Sequence, residues 1–96
     1  MFSIQFPGPE YVEQGLKTIQ EMLPELFEAM RELNASFPGN EGYLVSWFID
    51  PEHIDPPPRV FLSVLTTLSA READARLQEV YARSKEWGFV LDIEFV

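Results

Sequence analysis

Residues 12–33 read VEQGLKTIQEMLPELFEAMREL. Val12, Leu16, Ile19, Leu23, Leu26, Met30 and Leu33 recur there at gaps of four and three, the spacing that lines apolar side chains along one face of an α-helix. The stripe places a long amphipathic helix over residues 9–35, with Pro9 suited to its first turn. Pro24 removes one backbone hydrogen bond inside it. Because the stripe keeps its phase across that point, and Leu23 would cap a new helix poorly, a kink is expected rather than a break.

Outward from this helix the period changes. Phe2, Ile4 and Phe6 alternate with Ser3 and Gln5, a short half-buried strand at 2–6. Phe37-Pro38-Gly39-Asn40 reads as a turn, and Tyr43 to Ile49 follows as a strand rich in aromatic and branched residues. A third strand, Val60 to Thr66, leads to Ser69-Ala70-Arg71-Glu72, where the Ser and the Glu three places on form a capping box. The second helix, 69–87, turns Ala73, Leu77, Val80, Ser84 and Trp87 inward, and Gly88 stands where a left-handed cap is wanted. Phe89, Leu91, Ile93 and Phe95 then alternate with Val90, Asp92 and Glu94 as a last strand.

The order β-α-β-β-α-β over residues 1–96 predicts a single α+β domain. It resembles the ferredoxin-like plait, which implies a four-stranded antiparallel sheet with both helices on one face. That superfold hosts enzymes, RNA binders, metal carriers and inhibitors alike, so function has to come from sites. In such a plait the helix-free sheet face is expected to be polar. Ser3, Gln5, Asp92 and Glu94 comply, but with Tyr43, Val45 and Trp47 facing the helices, Leu44, Phe48, Phe61 and Leu65 face outward. Burying four such side chains is worth roughly 6–12 kcal/mol gross, which predicts a covered patch, under a homodimer packed sheet on sheet, a different protein, or an excursion of the chain's own loop.

The chain has 96 residues, no cysteine, 46% apolar content and a net charge of −9. That charge disfavours direct binding to nucleic acid or anionic lipid and favours a protein partner with a basic surface. Without cysteine there is neither a disulfide nor a thiolate ligand, which suits a cytoplasmic location. The start MFSIQFPGPE lacks the pattern of a signal peptide, and Ser46 interrupts the apolar run of the second strand, so no membrane segment is expected.

The negative charge is concentrated. The first helix carries six glutamates against Lys17 and Arg31, whereas acids and bases balance in the second. Glu21, Glu25, Glu28 and Glu32 follow one another at gaps of four, three and four, a ridge along one side of the helix. Such a ridge is either a solvated acidic face or a docking line for a basic partner, at a spacing of roughly 4.5–6 Å, comparable to the rise between phosphates of a nucleic acid.

The stretch from Asp50 to Arg59, DPEHIDPPPR, contains the only histidine of the chain and three consecutive prolines. A single histidine among acids makes neither a metal site nor a recognisable catalytic centre, and no nucleotide-binding or hydrolase motif occurs elsewhere, so no catalytic residue, metal or cofactor is expected. The prolines stiffen the connection, which reads as a preformed contact loop presenting Glu52, His53, Ile54 and Asp55. Together these readings predict a non-enzymatic protein-binding module, a small acidic inhibitor or regulator of a basic, nucleic-acid-handling partner. The alternative is a dimeric α+β barrel enzyme or small-molecule carrier, with a pocket between helices and sheet given polarity by Tyr43, His53, Asp92 or Glu94.

Overall fold

The computed structural model of the chain describes residues 2–48, 59–83 and 86–96. The elements follow in the expected order: β1 (Phe2–Gln5), a single 3-10 turn (Pro9–Tyr11), α1 (Val12–Ser36), β2 (Gly42–Phe48), β3 (Arg59–Thr66), α2 (Ala70–Arg83) and β4 (Val90–Phe95). α1 runs through Pro24 as one helix of 25 residues. Its C-terminus closes through the Phe37 N–H donating to the Leu33 carbonyl at 2.7 Å, and the turn that follows needs Gly39, at φ +77°, where a side chain would be strained. The capping box of α2 is half formed, the Glu72 N–H donating to Ser69 Oγ at 3.3 Å. Gly88 is not a left-handed cap: Gly39 and Gly42 are the positive-φ glycines among the described residues, and α2 ends earlier than 87.

The sheet differs from the expected antiparallel plait. Its strand order is β1-β2-β3-β4, with β1 parallel to β2, β2 antiparallel to β3, and β3 parallel to β4. The chain is thus two β-α-β units joined through the antiparallel β2–β3 pair, and β1 and β4 are both edges. α1 and α2 touch each other and share one core, so they lie on the same face. Both crossovers step the same way across the sheet while their strands run in opposite directions. They therefore have opposite hands, one of them against the right-handed rule that holds in about 98% of such connections.

Alternation sorts the strands cleanly. Ile4, Val45, Leu62 and Leu91 pair in one row across all four strands, and Phe2, Tyr43, Val64 and Ile93 in the next. These rows face the helices, where Leu26 and Leu33 of α1 and Val80 of α2 are fully buried against Val45, Leu62 and Val64. At the β1 end the core depends on an absent side chain. A Cβ on Gly15 would lie 2.2 Å from the Phe6 ring and 3.2 Å from Trp47, and that space lets Phe6 and Tyr11 pack on the Trp47 indole with ring centres 6.3 and 5.8 Å away. Val12 and Leu16, expected in the buried stripe, are exposed at the start of α1.

Gly15→Val should therefore lower stability by about 1–3 kcal/mol through overpacking, although valine is the better helix former of the two. Chemical denaturation of the variant, with wild-type slope and a lowered midpoint, is the expected result.

Candidate functional site

α1 has two unlike flanks beside its buried stripe, and the sheet order decides what each one borders. Toward α2 lie the four ridge carboxylates; Glu21 is exposed, while Glu25, Glu28 and Glu32 are half-buried. Glu25 Oε1 accepts the Gly88 N–H at 3.3 Å, tying α1 to the approach to β4. At the end of the same helix, Arg76 Nη1 donates to the Ser36 carbonyl at 2.8 Å, and Arg83 Nη2 donates to Ser36 Oγ at 2.6 Å. α1 has no basic residue in its last turn, and these two arginines of α2 supply the positive charge that its dipole favours there. Arg76 also pairs with Glu72, N to O 2.8 Å.

Toward the β1 edge the flank is apolar. Leu16 and Phe27 are 46% and 47% exposed, and the Phe27 ring meets Phe2 of β1 edge-on, centres 6.0 Å apart. Two recesses run along this side and share Phe2: one of about 310 Å³ between Leu16, Gln20 and Leu23 of α1 and Ile4 of β1, the other of about 660 Å³ between Phe27, Met30 and Arg31. The gaps Leu16–Gln20–Leu23–Phe27 form a second helical series, legible in the sequence but hidden by the stronger stripe beside it.

Tyr43 and Asn34 border the larger recess. The Tyr43 hydroxyl donates to the Met30 carbonyl at 3.1 Å and lies within hydrogen-bond reach of Asn34 Oδ1. Asn40 Nδ2 bridges Asn34 Oδ1 at 3.0 Å and the Phe37 carbonyl at 2.9 Å, while its Oδ1 accepts the Gly42 N–H at 2.9 Å. The network pins the last turns of α1 to the start of β2, a positioning role that the sequence pattern did not reveal. Burial raises the Tyr43 phenol above its ordinary value, with the Asn40 hydrogen bond acting in the opposite direction.

On the helix-free sheet face, Leu44, Phe61 and Leu65 are half-buried and surround Ser63, which is 5% exposed. The register puts Phe48 on the same face opposite Arg59, but its side chain lies outside the described residues. Val90, Asp92 and Glu94 of β4 are exposed, the two carboxylates pointing away from the helices. Glu52, His53, Ile54 and Asp55 lie outside the described residues. Among the described residues no cluster of three or more metal-ligating side chains forms, and no helix is long and apolar enough to cross a membrane.

Comparison with protein-family models, with curated proteins and with solved structures finds no match.

Tyr43→Phe should cost about 0.5–1.5 kcal/mol at neutral pH, the net worth of a buried hydroxyl's hydrogen bonds. The fold favours the neutral phenol, so the Tyr43 contribution is intact below pH 10 and is lost as pH rises through the raised folded-state value. Denaturation midpoints measured from pH 8 upward should show wild type losing part of its stability on the alkaline side, with Tyr43→Phe lacking that component of the loss.

Proposed function

We propose that the chain is a non-enzymatic binding module, a small acidic inhibitor or regulator that occupies a basic, nucleic-acid-handling protein and is steered to it by the carboxylate flank of α1. One observation supports this reading above the others. Glu21, Glu25, Glu28 and Glu32 line one flank of α1 at gaps of four, three and four, on a chain whose net charge is −9. A row of like charges at helical spacing works slightly against the helix, by about 0.2–0.5 kcal/mol per pair, and an oppositely charged surface relieves that repulsion. Fields of this kind act chiefly on the rate of encounter, raising it by about 10–1000-fold at low salt.

The alternative of an enclosed polar pocket has less support. Tyr43 is engaged by its own network, and Asp92 and Glu94 lie on the opposite sheet face from the helices.

The test uses the wild-type chain to capture its partner from a lysate of the native host, followed by association kinetics with that partner. Replacing Glu21, Glu25, Glu28 and Glu32 by Gln keeps the acceptor that Glu25 offers Gly88 but removes the charge. The association rate should fall about tenfold or more at low salt and lose most of its dependence on ionic strength. A partner without a basic surface, or a variant that associates as fast as wild type, contradicts the reading.

A further inference from the structure

We propose that a second copy of the chain docks on the β1-side flank of α1, about a twofold axis that runs the two helices antiparallel. The exposed residues on this flank include, in chain order, Glu13, Leu16, Gln20, Pro24, Phe27, Arg31 and Asn34. About a point near residue 22, Glu13 mirrors Arg31, Leu16 mirrors Phe27 and Gln20 mirrors Pro24, so that an acid falls opposite a base and an apolar side chain opposite an apolar one. Antiparallel juxtaposition brings Leu16 of each copy to Phe27 of the other, and Glu13 of each to Arg31 of the other. The midpoint falls between Gln20 and Leu23. Such self-complementarity is what an isologous contact requires, and an unrelated partner would not require it.

The strand beneath the flank supports the same occupant. Among the described residues β1 pairs with β2 on one side only, so its other edge presents backbone groups with no sheet partner there. Edge strands are ordinarily guarded by charge, proline or short length, and β1, four residues long, has only the last of these. β4, the opposite edge, carries exposed Asp92 and Glu94, whereas β1 reads Phe-Ser-Ile-Gln without a charged residue. Phe2 and Ile4 pack against the core and also line the two recesses, and both are only half-buried. A second copy would bring the same apolar side chains over them from the other side.

Two chains of net charge −9 repel at long range, but charge at the contact itself does not oppose the approach. The Glu21–Glu32 ridge lies on the α2 side of the helix, turned away from this axis, and Arg31 brings a cation to the contact. The interface therefore leaves the ridge open, and it stands independently of the function proposed for that ridge.

Sedimentation of the purified chain over a range of micromolar concentrations, with a reciprocal charge exchange, is the test. Wild type should dimerise. Glu13→Arg and Arg31→Glu, made singly, should each weaken the dimer by about tenfold or more, and the double variant should recover most of that loss. Within one chain the two positions stand roughly 27 Å apart along the helix, so recovery requires the second copy. Both sites are exposed, and circular dichroism should show each variant folded. Phe27→Glu supplies a second reading, expected to give monomer. A chain that is monomeric at every concentration overturns the proposal. So does a dimer indifferent to the single reversals or to Phe27→Glu, or a double variant no better than the singles.

Discussion

The absence of a side chain at Gly15 determines where the first strand can sit. Phe6 occupies the space a Cβ would take and, with Tyr11, packs on Trp47, so the end of β1, the entry into α1 and the far end of β2 are joined in one aromatic contact. Close-packed interiors leave such a junction few alternative arrangements. With β1 held parallel beside β2, the antiparallel β2–β3 pair occupies the sheet centre, and α1 lies over it with Leu26 and Leu33 fully buried.

That placement gives the two flanks of α1 different environments. One borders α2, whose arginines close the C-terminal end of α1 through Ser36. The other borders an edge strand and stays open, with Leu16 and Phe27 half exposed above Phe2 and Ile4. Were β1 in the middle of the sheet, as in a ferredoxin-like plait, the apolar flank would overlie further strand instead of an edge. The same helix therefore offers an acidic surface on one side and a self-complementary apolar one on the other, and the surfaces do not compete.

Element identity was legible because it is written in local periodicity. The α1 stripe, the alternation in β2 and β3 and the Ser69–Glu72 cap each depend on residues a few positions apart. Strand order was not legible, since β1 beside β2 and β1 beside β3 satisfy the same alternation of Phe2, Ser3, Ile4 and Gln5. The choice is made by Phe6, Tyr11, Gly15 and Trp47, which are distant in sequence and individually ordinary. The ridge could be read as a row, but its neighbourhood could not: nothing in the spacing of Arg76 and Arg83 announces Ser36 as their partner. Leu16 was misplaced in the core for a related reason. A stripe shows which residues share a helix face, whereas the length of β1, four residues, decides how far along the helix that face is covered.

The decisive measurement is the backbone NOE pattern of the isotopically labelled chain. Contacts linking Ile4 to Val45, Val45 to Leu62 and Leu62 to Leu91 in one row, with parallel pairing at both outer junctions, are the result expected from the order β1-β2-β3-β4. A spectrum that places Ile4 between β3 and β4, with antiparallel pairing on both sides, would contradict the account at its base and close the edge on which α1's open flank depends.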